Sequence, residues 1–172
     1  MKTFVDKIQF SLTNIDKADL RIFKETIINT NAPLIILGNG GSSAIASHIA
    51  NDYTKVLKKK VFTFSDSAKI SCYANDYGYE NSLRRFIMDF EEYFPTVILV
   101  SSSGNSLNII NAARYAISKN LEVIGLTGFS ESNLLNQLCK AHKKFRFYVN
   151  DNSYGVVECV HQIILHSAVD EI

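Results

Sequence analysis

Residues that break regular structure are scarce in this chain of 172 residues, which has two prolines, Pro33 and Pro95. Each stands just before an apolar, β-like run, so neither interrupts a helix. Cysteine is scarce too. Cys72, Cys139 and Cys159 are odd in number, and their spacing fits neither a zinc knuckle nor a CxxC redox pair. Such thiols are expected to be buried or idle in a reducing cytoplasm. Residues 1–10 are polar and amphipathic and lack the apolar centre of a secretory signal. No apolar run approaches the roughly 20 residues that a membrane span needs. An excess of either charge is also missing, since 18 Lys and Arg against 17 Asp and Glu leave a formal +1. That excludes an electrostatic argument for nucleic acid or an anionic membrane. The basic run Lys58-Lys59-Lys60 reads as a solvated loop. There is no internal repeat and no low-complexity linker.

What is present is an ordinary globular composition, 47% apolar and 20% charged, in a chain long enough to bury a core as one domain over 1–172. Residues 1–30 form an N-terminal helical segment, with Phe4, Ile8, Leu12, Ile15, Leu20, Phe23 and Ile27 near the helical period. The core, 31–172, alternates short apolar runs with helical patterns. Strands are expected at 34–37, 61–64, 96–100, 123–126 and 145–149. Between them helices are expected to about Leu57 (capped by Ser42 or Ser43), into Tyr73, and over 80–93, 106–118 and 132–139. A last helix spans 156–169, and 74–78 reads as a loop. Uninterrupted apolar strands alternating with helices predict a parallel sheet covered on both faces. Ligands then bind at the carboxyl ends of its strands.

Two turns at that edge carry chemistry. Gly38-Asn39-Gly40-Gly41-Ser42-Ser43 partly matches a dinucleotide fingerprint, with Asp66 after the second strand, but it lacks the third glycine. Ser101-Ser102-Ser103-Gly104-Asn105-Ser106 puts four hydroxyls at a helix start, where free N–H groups and the helix dipole suit a phosphate monoester. Two such turns at one edge favour a small phosphorylated ligand over a dinucleotide. His48 and Asp52 lie four residues apart on one helix face. Glu158, His161 and His166 lie on the last helix, with Glu158 and His161 sharing a face, and His142 is expected at the surface. Two histidines and two carboxylates suit a divalent ion, and they equally suit a general base with a general acid.

In this order, GNGGSSA…H…D, SDSAKISCYANDYGYE, SSSGNS and LTG resemble the sugar-isomerase (SIS) domain family, and most of all its phosphoheptose isomerase branch. The resemblance covers nearly the whole chain. It implies an α/β fold: a three-layer αβα sandwich with a five-stranded parallel sheet, flavodoxin-like or Rossmann-like, plus N-terminal helices. It implies an aldose–ketose isomerase converting sedoheptulose 7-phosphate to D-glycero-D-manno-heptose 7-phosphate, in a cytoplasmic homotetramer with active sites at subunit interfaces and one zinc per subunit. Ser101, Ser102, Ser103 and Ser106 would cradle the phosphate. Asn39, Gly40, Gly41, Ser42 and Glu158 would contact substrate, and Asn75 and Asp76 would bind sugar hydroxyls. The metal set would be His48, Asp52, Glu158 and His166, with Asp52 as base and His166 as acid of an enediol mechanism. Asp52 stands where the family has Glu, and Glu158 where it has Gln. With a divalent ion the four-residue set is formally neutral. The family's arginine after the first core helix falls at Val56, and its acid beside the last helix at Gly155. These departures admit a second reading, a sugar-phosphate-binding module without catalysis, or an isomerase of another phosphorylated sugar.

Overall fold

The structure, a computed structural model, describes residues 3–170. The N-terminal segment is two helices, α1 (Phe4–Thr13) and α2 (Lys17–Asn29). They part at Asn14–Asp16, because the Asp16 side chain accepts the Ala18 N–H at 2.7 Å and starts the second helix afresh.

Five strands follow, β1 (Leu34–Gly38), β2 (Val61–Thr63), β3 (Thr96–Ser101), β4 (Val123–Gly128) and β5 (Phe145–Val149). They pair in parallel in the order β2-β1-β3-β4-β5. Leu37 faces Leu99 across β1 and β3, and Val100 faces Leu126 across β3 and β4. Because side chains alternate across a sheet, the unbroken apolar strands supply two cores. Ile36, Ile98, Val100 and Leu126 meet Phe23, Ile49, Val160 and Ile164 on one face. On the other, Ile35, Leu37, Val97 and Leu99 meet Leu83, Phe86, Ile109 and Ala113.

The first face is covered by α1, α2, α3 (Gly40–Lys55) and α8 (Tyr154–Asp170). The second is covered by α4 (Ser67–Tyr77), α5 (Tyr79–Met88), α6 (Leu107–Ser118) and α7 (Leu134–Ala141). From β1 the chain moves outward to β2. It then returns past β1 to β3 and continues the other way, so β1 and β3 flank the topological switch point.

Several boundaries differ from the sequence expectations. Helix α3 starts at Gly40 with Asn39 as its N-cap, so Ser42 and Ser43 lie inside it. The expected loop at 74–78 is the last turn of α4, and Gly78 at φ +78° joins α4 directly to α5. Helix α5 stops at Met88, and a single 3-10 turn follows at Glu91–Tyr93. The lysine run is only partly solvated. Lys59 Nζ donates to Ile28 O and Thr30 O, each at 2.6 Å, and closes the end of α2. No helix among the described residues is long and apolar enough to cross a membrane.

Candidate active site

The turns after β1 and β3 meet at the switch point. They enclose a cavity of about 320 Å³ lined by Asn39, Gly40, Gly41 and Ser42 from one side and Val100–Ser103 and Ser106 from the other. Glu158 and Tyr154 of α8 complete it. The Glu158 carboxylate packs close over Gly41, where a Cβ would stand 2.5 Å from Oε2 and make that side chain move. Gly104 turns the serine loop at φ +62°, with its missing Cβ directed at the Asn133 amide.

The N-terminal donors of α3 are unspent. The N-termini of α1, α2, α4 and α7 are closed by side chains of Thr3, Asp16, Asp66 and Asn133. Those of α3 and α6, at the cavity, and of α5 have no side-chain cap. The first turn of α3, Gly40, Gly41 and Ser42, lines the pocket and brings it free N–H groups and the positive end of a helix dipole, while α6 brings its N-cap residue Ser106. Ser102 Oγ is buried and has no partner, a hydroxyl that a ligand oxygen would satisfy. Together these form an anion site built without a lysine or arginine.

The ionisable groups gather farther along α3 and α8. His48 Nε2 lies 3.3 Å and His166 Nδ1 3.7 Å from the same atom, Asp52 Oδ2. The two imidazoles stand edge to face, 5.1 Å apart. One ligand atom from each of the three residues lies within 4.8 Å of the others. Beside them Tyr53, fully buried, donates its hydroxyl to Leu165 O at 2.7 Å. That bond joins the residue after Asp52 to the residue before His166, so it ties the two halves of the cluster together.

The sequence candidates therefore divide. His48, Asp52 and His166 converge. Asn39, Gly40, Gly41, Ser42, Ser101, Ser102, Ser103, Ser106 and Glu158 line the anion cavity. Glu158 does not join the three-residue cluster. It stands eight residues before His166, about 12 Å along an ideal helix, with its carboxylate against Gly41. Asn75 and Asp76 do not line the cavity. They are exposed on the last turn of α4, where Asn75 Nδ2 donates to Asp76 Oδ1 at 2.9 Å. Asp66 spends its carboxylate on the Lys69 N–H at 2.9 Å as the cap of α4, which removes the acid of the dinucleotide reading.

His161 does not share its neighbour's surroundings. It is fully buried and directs Nε2 to Thr127 O at 3.1 Å, and burial lowers its pKa to about 4. His142 is exposed. Four residues of interest escaped the sequence reading. Tyr79 and Asn108 bond the Asn39 amide, Tyr154 stands at the cavity, and Gln162 Nε2 lies 3.5 Å from His166 Nε2. Only Gln162 left a sequence signal, its i, i+4 spacing to His166.

Residues 4–128 match the family described as SIS domain. The phosphoheptose isomerase of Buchnera aphidicola subsp. Acyrthosiphon pisum (strain Tuc7) is 35% identical over 152 residues, covering 83% of this chain and 77% of that protein. A phosphoheptose isomerase of Fusobacterium nucleatum is 29% identical over 149 residues, covering 84% and 74%. Among solved structures, phosphoheptose isomerase GmhA from Neisseria gonorrhoeae superposes with a TM-score of 0.87 at 21% identity, over 97% of this chain and 92% of that one. The phosphoheptose isomerase from Francisella tularensis gives 0.80 at 19% identity, over 95% and 90%.

Proposed function

We propose, from the premise that this chain belongs to the SIS-domain family and within it to the phosphoheptose isomerases, that it converts sedoheptulose 7-phosphate to D-glycero-D-manno-heptose 7-phosphate. The observation that carries the reading is Asp52 flanked by two imidazoles, on the same pair of helices that close an anion cavity. The phosphate lies among Ser101, Ser102, Ser103 and Ser106 and the N-termini of α3 and α6. Gly40, Gly41, Ser42 and Glu158 shape the side from which the sugar leaves it. Asp52 takes the proton from the carbon beside the ketose carbonyl and returns it to the neighbouring carbon. His166 moves the proton between the two oxygens of the cis-enediol. Atoms balance, because one proton leaves and one arrives on each of carbon and oxygen. Neither Asn75 nor Asp76 has a part in this reading as the single chain stands.

His48, Asp52 and His166 also fit a divalent ion, for which two imidazoles and a carboxylate are a suitable set. We assign zinc there, one per subunit; when bound it supplies Lewis-acid polarisation of the substrate oxygen. We read the working form as a cytoplasmic homotetramer. Exposed apolar side chains on α1 and α8, Phe4, Val5, Tyr154 and Ile163, support association. Three free thiols support a reducing compartment.

The test is NMR of purified protein with sedoheptulose 7-phosphate, with and without zinc. Turnover is expected, and Asp52→Asn is expected to lower kcat at least about a hundredfold. No turnover of this or any of several sugar phosphates, in either condition, would overturn the reading.

A further inference from the structure

The N-cap of α3 holds a contradiction. Asn39 has the extended backbone of a capping residue, φ −117° and ψ 151°, and a side chain of a type preferred there, yet it makes no capping bond. Its amide is engaged elsewhere. Asn39 Nδ2 donates to Asn108 Oδ1, and Asn108 Nδ2 donates back to Asn39 Oδ1, both at 2.9 Å. The Tyr79 hydroxyl donates to the same Asn39 oxygen at 3.0 Å. Asn108 is the second residue of α6 and 3% exposed, and its Oδ1 also accepts the Ile109 N–H at 3.0 Å. The Asn39 oxygen thus has both lone pairs filled and none left for the α3 N–H groups.

We propose that Asn108 is a positioning residue for phosphate binding: by pairing with the Asn39 amide it withholds Asn39 from the N-cap of α3 and keeps that helix's N-terminal donors open to the ligand. The same pair joins the turn after β1 to the first turn of α6. A buried amide pair is suited to the task, because each partner leaves the other unsatisfied if it moves. Without Asn108, the Asn39 oxygen keeps the Tyr79 hydroxyl as a donor, and its freed lone pair can turn to the α3 N–H groups, where capping competes with phosphate. The inference rests on the phosphate site proposed above and adds a device that controls it.

The test is calorimetric titration with inorganic phosphate of the wild type, Asn108→Ala, Asn39→Ala and the double variant. Phosphate affinity is expected to fall about tenfold in Asn108→Ala. It is expected to return most of the way in the double variant, where no amide remains to cap α3. The non-additivity of this cycle is the signature. In turnover, Asn108→Ala should raise KM by a similar factor and leave kcat within about twofold. Tyr79→Phe, on an exposed residue, removes one bond without opening the interior and should weaken phosphate two- to threefold. Should Asn108→Ala fail to fold, Tyr79→Phe and Tyr79→Phe/Asn39→Ala complete the same cycle.

Wild-type affinity in Asn108→Ala, or a double variant no tighter than the single, overturns the proposal while the phosphate site stands. Absence of phosphate binding by the wild type overturns both together. Turnover failing while phosphate binds as expected overturns the isomerase reading and leaves this inference in place.

Discussion

His161 shows what burial does to a side chain that neighbouring residues use for chemistry. The Thr127 carbonyl can only accept, so His161 Nε2 carries the proton of their 3.1 Å bond and Nδ1 is bare. Nδ1 has no partner in its buried surroundings. A second proton would put an unpaired charge there, which is why the pKa falls from 6.5 to about 4, against the smaller upward pull of the Thr127 carbonyl. Between pH 6.5 and about 4 the unfolded chain binds a proton that the folded chain refuses. Stability is therefore full above 6.5 and drains as pH falls through that window. A depression of this size corresponds to about 3 kcal/mol. Urea unfolding of wild type and His161→Gln at pH 7, 5.5 and 4 should show the wild type losing up to that much more than the variant. Parallel losses in the two proteins would remove His161 as the cause. His48, half exposed, and His166, partly exposed, stand beside Asp52, and it is this contrast in burial that separates structural from functional imidazole here. Spacing within α8 could not show it, because Glu158, His161 and His166 differ in what lies opposite them and not in their own helix.

At the scale of elements, a helix end is decided by which partner reaches it. The lysine loop before β2 looks solvated in sequence, yet Lys59 crosses to the C-terminus of α2 and satisfies two carbonyls. A cation there also meets the negative end of the helix dipole. Lys59→Met should cost about 1–3 kcal/mol, a fall in Tm of about 2–4 °C for each. Lys60→Met, on an exposed neighbour, serves as the control. Equal Tm values for the two variants would refute the capping role. The strands were legible because unbroken apolar runs such as Leu34–Leu37 and Thr96–Val100 have one economical use, a sheet covered on both faces. The end of α4 was not, because Ala74-Asn75-Asp76-Tyr77-Gly78 carries turn chemistry that tertiary contacts override. Tyr77 lies beneath the Arg85 guanidinium of α5 and packs edge-on against Tyr73 one turn back on α4, which holds the last turn helical up to Gly78. Likewise Asn39 displaced Ser42 and Ser43 as the start of α3 through partners on α5 and α6 that local pattern does not reveal.

Across the whole molecule, the anion cavity could be foreseen because two donor-rich turns end neighbouring strands, and strand ends share an edge. The cluster of His48, Asp52 and His166 could not be foreseen from residue patterns alone. Its members lie on α3 and α8, which are separated by most of the sheet in sequence and meet through packing on one face. Sequence resemblance named them, and the three side chains lie together with the Glu158 carboxylate turned to Gly41. What joins those helices is the Tyr53–Leu165 hydrogen bond, beside the cluster and beneath it. A divalent ion held by His48, Asp52 and His166 would be a second tie between the same two helices, present only in the folded chain. Binding to the native state alone stabilises by about 2.7 kcal/mol at a hundredfold excess over Kd. For a chain of this size that raises Tm by about 5–10 °C. Zinc should therefore shift the melting curve upward with concentration, a chelator should reverse the shift, and His48→Ala should abolish it. Glu158→Ala should leave the shift in place, because that carboxylate faces Gly41 and the anion cavity and not the cluster. A shift that survives His48→Ala, or one lost in Glu158→Ala, would show that the ion is held by a different set of residues. The two variants thus separate a three-residue site on α3 and α8 from the four-residue set that family resemblance suggests.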